Sequence, residues 1–330
     1  MVCADVKKIS NFETKIILKT LCMDHLENSF IGKNNFWRYI VMLAVIFLAT
    51  NTIGAIPLLI TSLVKSASDP NILSGDNFFS SLSISQNFML TLMLFPFIVG
   101  LATYALLIRH LHGRSFLQTI TGESSFRWKH FYISGGLWMI FMGVSLLVYI
   151  GFDPENFTVN NISPSLITLI LLSFLLIPFQ AAFEEVIFRG YLMQGFTVLF
   201  PAKIFALLAT ALLFSLMHSL NPEVKEFGFL SIMPQYLAFG LIFGLLTIFD
   251  NGIESALGAH AANNIFLCIM VTQEASVLQT PALFELHVYR PGIELTGMII
   301  VGSIFVFTLW KIFGWKHIST LKMQKPMYND

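Results

Sequence analysis

Glu184 and Glu185 stand side by side inside an apolar run, and Arg189 follows the second of them by four residues. Two later apolar runs carry His218, in Phe214-Ser-Leu-Met-His218, and His260 with Asn264, in His260-Ala-Ala-Asn-Asn264. An ionisable side chain in hydrocarbon costs about 2.5–3.5 kcal/mol on insertion scales, so such residues face a bundle interior or a wet cavity and act there. On a helix Glu185 and Arg189 are i and i+4 and share a face, whereas Glu184 points about 100° away. That spacing assigns Glu185 to an ion pair with Arg189 and leaves Glu184 free for chemistry. His260 and Asn264 have the same i, i+4 relation and present an imidazole and an amide together.

A carboxylate bound to water and assisted by an imidazole is a general-base pair, and a second imidazole with an amide supplies donors for an oxyanion. Glu184 with His218 suits the first role and His260 with Asn264 the second; hydrolysis of a peptide bond uses both. Glu184, His218 and His260 are also the residue types of a two-His, one-carboxylate zinc site, which is the alternative to a cofactor-free site. No HExxH is present to press that alternative, and the metal-free reading is preferred. No Gly-x-Ser-x-Gly elbow occurs, so Ser215 and Ser219 read as ordinary membrane serines. Two readings from other classes use the same residues: a proton-coupled transporter and a non-catalytic membrane binding or immunity-type protein. A transporter predicts inverted repeats, and the sequence shows none.

The elements that must carry these residues are apolar runs near the ~20 residues a bilayer core requires. Eight are present, at about residues 37–64, 87–111, 131–151, 164–189, 202–220, 229–249, 253–273 and 294–315. Each must be helical, because an unpaired backbone amide in lipid costs several kcal/mol and no alternating barrel pattern appears. The expected fold is an all-α polytopic membrane protein, a bundle of about eight transmembrane helices. Its parts are a leader at 1–36, a bundle at 37–315 with the motif core at 164–270, and a tail at 316–330. Composition agrees: the 330 residues are 55% hydrophobic and 12% charged, with mean hydropathy +0.74. A net charge of zero excludes a basic nucleic-acid binder. Cys3, Cys22 and Cys268 form neither a disulfide framework nor a CxxC pair and read as small apolar fillers. No cleavable signal peptide is expected, since a charged leader of about 35 residues precedes the first run.

Basic residues collect on the cytoplasmic side of a membrane. With both termini cytoplasmic, all 19 Lys and Arg fall on that side except Lys65, Lys225 and Arg290, which also favours an even number of spans. Glu184 and His218 are each 17 residues from Pro201. If the fourth helix continues past Arg189 and the chain turns at Phe200-Pro201, antiparallel helices set the two level. His260, roughly 13 Å past the Asn251-Gly252 turn at 1.5 Å per residue, then joins them in the cytoplasmic half of the bilayer. Thr121–Lys129 mixes basic and aromatic residues and reads as an interfacial anchor. Asn156-Phe-Thr and Asn161-Ile-Ser are formal glycosylation acceptors. Compactness puts a bacterial inner membrane ahead of the endoplasmic reticulum.

Glu184-Glu185-xxx-Arg189 followed by Gly190-Tyr191-Leu192, then Phe214-xxx-His218, then His260-xxx-Asn264, resembles the three motifs of the CPBP intramembrane proteases. This is the Abi group, which includes the CAAX prenyl endopeptidase of the Ras-converting type. The resemblance covers about residues 164–270; the flanking spans agree only in being apolar. It implies that Glu184 and His218 activate the attacking water, that His260 and Asn264 hold the oxyanion, and that Glu185 and Arg189 position the first pair. The family is also labelled metalloprotease, which keeps the zinc alternative open. The implied partners are the lipid bilayer and a peptide or prenylated protein substrate.

Overall fold

A computed structural model of the chain describes residues 24–67 and 82–315. The tail at 316–330 and the leader up to residue 23 lie outside the described residues. With them go Cys3, Cys22 and seven of the lysines used for orientation, Lys7, Lys8, Lys15, Lys19, Lys316, Lys322 and Lys325.

Every apolar run of the sequence forms a helix. The first run is broken into α1 (Phe36–Asn51) and α2 (Ile56–Ser66). Then come α3 (Gln86–His112), α4 (Trp128–Phe152) and α5 (Pro164–Glu185). A π-helical turn, Val186–Leu192, carries α5 into α6 (Met193–Leu199). The chain continues through α7 (Lys203–Met217), α8 (Phe229–Asp250), α9 (Glu254–Met270) and α10 (Pro291–Phe313). The boundaries have local causes. Ser85 Oγ accepts from Phe88 N at the start of α3, and Gly113 adopts φ +70° to close its end. Asn251 closes α8 in the same left-handed region.

The chain is a polytopic all-α membrane protein, but the expected count of about eight spans is not confirmed. Among the described residues six helical stretches are long and apolar enough to cross a bilayer: 36–66, 86–112, 128–152, 164–199, 229–250 and 291–313. The other two runs give α7, 15 residues, and α9, 17 residues. At 1.5 Å per residue these reach only about 22 and 25 Å, short of a hydrocarbon core of ~30 Å. The cause differs between them. α7 stops where Asn221-Pro222 begins the next short helix. α9 is buried among α4, α5 and α8, and a helix shielded from lipid has no need of a long apolar surface.

α9 reaches the centre of the bundle because small residues let it. Gly258 lies against α4 so closely that a Cβ there would come within 2.2 Å of the Phe131 carbonyl oxygen. At one end of the bundle Arg127 donates to both Glu254 oxygens (3.0 and 2.7 Å) and to Asp250 (3.3 Å). Asp250 also accepts from His130, Ser255 and Trp315. Burial lowers the Arg127 pKa, but the hydrogen bonds to Glu254 and the charges of Asp250 and Glu254 outweigh it, so the net shift is upward. Arg127, expected in an interfacial anchor, is thus a clamp between the starts of α4 and α9; Trp128 beside it is exposed as expected.

Both described ends of the chain meet this end of the bundle. His25 N donates to Asn251 Oδ1 (2.6 Å) and Trp315 Nε1 to Asp250 Oδ1 (3.0 Å). The opposite end is capped by a small sheet in which β3 (Phe284–Leu286) lies between antiparallel β1 (Phe157–Val159) and parallel β2 (Val271–Thr272). Asn156 is buried there: its side chain donates to the Val288 carbonyl and accepts from the Val288 amide. Its amide is therefore engaged in the fold and not presented as a glycosylation acceptor, whereas Asn161 is exposed. Cys268 is a buried free thiol within the core of α3, α5 and α9, as a filler should be.

Candidate active site

The two glutamates end α5, and Arg189 sits in the π-helical turn that follows. Such turns cluster at functional sites because they re-aim side chains without ending the helix. Gly190 lets this one form: a Cβ there would lie 2.6 Å from the Thr119 carbonyl oxygen. Arg189 Nη1 donates to Glu185 Oε1 at 2.8 Å, with both side chains fully buried, so the i, i+4 pairing is present as spaced. The guanidinium also lies over the rings of Phe214 (4.4 Å), Phe243 (5.5 Å) and Phe188 (5.9 Å). Several of the 33 phenylalanines thus wall the charged centre as well as facing lipid.

Glu184 points elsewhere, as the helical phase requires. Its Oε1 accepts from Gln180 Nε2 at 2.5 Å, one turn earlier. Its Oε2 is buried and has no hydrogen-bond partner among the described residues. The imidazole beside it is His260, whose Nε2 is 3.6 Å from Glu184 Oε2 and whose Nδ1 is 2.7 Å from Glu185 Oε1. The His260 ring is stacked on Phe243 at 5.0 Å.

His218 was expected against Glu184, and here the arrangement differs. Its Nδ1 bonds to the carbonyl of Phe214 at 2.7 Å, and its ring stacks on Tyr236 at 4.3 Å. The reason is local: α7 ends at Met217, so His218 is the capping residue and its ring turns back onto the last turn of its own helix. Phe214 stands between the two histidines, its ring centroid 4.6 Å from His218 and 6.1 Å from His260.

A zinc ion would need three of these side chains to converge. Among the described residues no group of three His, Cys, Asp or Glu does so, although Nδ1 of each histidine is anchored, by Glu185 or by Phe214 O, in the way that leaves Nε2 as the ligating nitrogen of a metal-bound His. Glu184, His218 and His260 do not assemble as a ligand set in this arrangement.

Residues of all three motifs thus meet around one buried centre drawn from α5, α7 and α9, with Phe214 supplying the second motif's contact and His218 half-buried beyond it. Residues 163–266, which contain all of them, match the family of type II CAAX prenyl endopeptidases, Rce1-like. The chain is also similar to "Uncharacterized protein YyaK" of Bacillus subtilis (strain 168), at 30% identity over 295 residues, covering 86% of this chain and 96% of that protein. This chain belongs to the Rce1-like CAAX protease family. It is an integral, multi-pass membrane protein of a peptidase family. No solved structure matches it significantly.

Residues that were not singled out in the sequence complete the centre. Asn264 Nδ2 donates to Gln180 Oε1 (2.9 Å), Asn263 Nδ2 donates to Asn264 Oδ1 (3.0 Å), and Trp138 Nε1 donates to Asn263 Oδ1 (3.2 Å). Gln180 carried a usable signal, a lone amide four residues before Glu184 in an otherwise apolar run. Tyr236 carried none, because its relation to His218 is purely tertiary. Tyr236 is itself held by its hydroxyl, which donates to Glu223 and accepts from Asn221 Nδ2 (2.8 Å).

Proposed function

We propose that this chain is an intramembrane endopeptidase in which Glu184 activates a water that attacks a peptide carbonyl, without a metal. The single observation that carries the reading is Glu184 Oε2: a buried carboxylate oxygen with no hydrogen-bond partner among the described residues, 3.6 Å from an imidazole nitrogen. That contact is too long for a direct hydrogen bond, so Oε2 keeps an unused acceptor for an incoming water. The oxygen takes one proton of that water as its oxygen attacks the carbonyl, and the proton then passes to the leaving amine nitrogen. Negative charge on the former carbonyl oxygen falls to Asn264 Nδ2–H and His260 Nε2–H. A carboxylate only accepts, so His260 Nδ1 carries a hydrogen toward Glu185. With Nε2 protonated too, the buried set balances two carboxylates against a guanidinium and an imidazolium. His218, its Nδ1 tied to Phe214 O, presents Nε2 as the nitrogen free to exchange protons with the water or the leaving group.

Membership of the family supports a CAAX-type, prenylated peptide as the substrate to try first. The excess of basic residues supports placing the described chain ends on the cytoplasmic side, and the Bacillus relative supports a bacterial membrane. The test is cleavage of a quenched peptide ending in a farnesylated CAAX sequence by purified protein in proteoliposomes. Glu184→Gln should lower kcat at least 100-fold, the scale of a lost general base. Undiminished cleavage by that variant would refute the assigned base. Loss of cleavage also separates the protease from a transporter or a passive binder, whose phenotypes have no scissile bond to lose.

A further inference from the structure

We infer that Trp138, Asn263 and Gln180 form with Asn264 a one-way hydrogen-bond relay that ends on Glu184 and orients both halves of the hydrolytic site. The inference rests on the protease reading and deepens it. The four bonds run Trp138 Nε1 to Asn263 Oδ1, Asn263 Nδ2 to Asn264 Oδ1, Asn264 Nδ2 to Gln180 Oε1, and Gln180 Nε2 to Glu184 Oε1. The nitrogen and oxygen of a carboxamide are interchangeable in shape, so a single buried amide has two orientations. Here the ends decide. An indole N–H only donates and a carboxylate only accepts, so turning over any one of the three amides would set donor against donor and acceptor against acceptor at its neighbours. Trp138 and Asn263 are buried, and the cost of such a mismatch is not relieved by bulk water.

Two consequences follow at the reacting atoms. Asn264 is fixed with its oxygen toward Asn263 and its nitrogen toward Gln180, which leaves the second hydrogen of Nδ2 as the donor an oxyanion needs. Glu184 Oε1 is occupied by Gln180, which leaves Oε2, facing His260 Nε2, as the oxygen that meets water. One chain of bonds thus selects the basic oxygen and the polarity of the amide. It starts on α4, a helix that carries none of the three motifs. Gln180, Asn263 and Trp138 are positioning residues in this scheme; the groups that touch substrate or the attacking water remain Glu184, His218, His260 and Asn264.

The experiment uses full-length protein in proteoliposomes, the farnesylated peptide as probe, and Glu184→Gln as reference. Gln180→Leu removes a hydrogen bond that favours the ionised carboxylate, so the acidic limb of its pH–rate profile should move up by about one pH unit, with kcat down roughly ten-fold. Asn263→Leu frees the Asn264 amide to turn over. It should lower kcat roughly ten-fold or more with KM and the acidic limb unchanged. Infrared difference spectra read the relay without any substrate: the carboxylate band assigned to Glu184 by its loss in Glu184→Gln should shift in Gln180→Leu. An unmoved acidic limb together with an unmoved band overturns the relay. Cleavage surviving in Glu184→Gln overturns the protease reading instead, so the two failures are distinguishable.

Discussion

Replacing Arg189 with Met tests whether the buried ion pair, and not only the apolar packing around it, holds the centre together. Both side chains are fully buried and the pair spans 2.8 Å. Glu185 Oε2 already lacks a hydrogen-bond partner among the described residues. Removing one member of such a pair costs about 3–5 kcal/mol, most of it from stranding the remaining charge. His260 Nδ1 stays bonded to Glu185 Oε1 in the variant, which favours the lower end, about 3 kcal/mol. Met keeps contact with Phe214 and Phe243 but loses the cation–ring attraction, a further ~1 kcal/mol. Adding Glu185→Gln to Arg189→Met should then recover stability, because the charge is gone while an amide oxygen still accepts from His260. The measurement is unfolding in mixed micelles with increasing dodecyl sulfate, followed by tryptophan fluorescence. The expected order is wild type, then the double variant within about 2 kcal/mol, then the single. A single variant as stable as wild type, or a double variant no better than the single, would refute the account of a stranded charge.

Three further outcomes are expected. His25 is fully buried, donates from Nε2 to the Arg189 carbonyl (3.2 Å), and has its pKa lowered by that burial. The opposing influences are the Arg189 carbonyl, Asp24 and Glu254, with Arg127 adding to burial. A group depressed in the folded state stabilises fully above its unfolded value near 6.5 and loses that contribution as pH falls toward the folded value. Protection factors over residues 24–30, with the intrinsic pH dependence of exchange divided out, should therefore fall between pH 7 and 5 in wild type and respond less in His25→Asn; equal protection factors at both pH values would contradict this. Gly190→Val places a Cβ 2.6 Å from the Thr119 carbonyl and should destabilise by about 1–3 kcal/mol in the same micelle assay, with no change counting against the close approach. A strong zinc chelator should leave cleavage by purified protein intact, and loss reversed only by added zinc would establish a metal enzyme.

Much of this protein was readable one helix at a time. Composition and the length of the apolar runs gave the membrane class, and the i, i+4 spacing gave the Glu185–Arg189 pair. These are properties of a single helix, fixed by 3.6 residues per turn and by the need to pair backbone amides within lipid. The continuation of the helix past Arg189 to Leu199 entered the sequence reading only as a condition, since the apolar run itself closes at 189. What one helix offers another was not legible. His260, rather than His218, meets the glutamates, because α9 packs at the depth and rotation that Gly258 allows against Phe131, while α7 ends one residue before His218. Gln180, Asn263 and Trp138 join the centre from three helices whose phases the sequence leaves independent. Short-range periodicity names the face on which a side chain lies; only close packing between helices selects the partner that the face will meet.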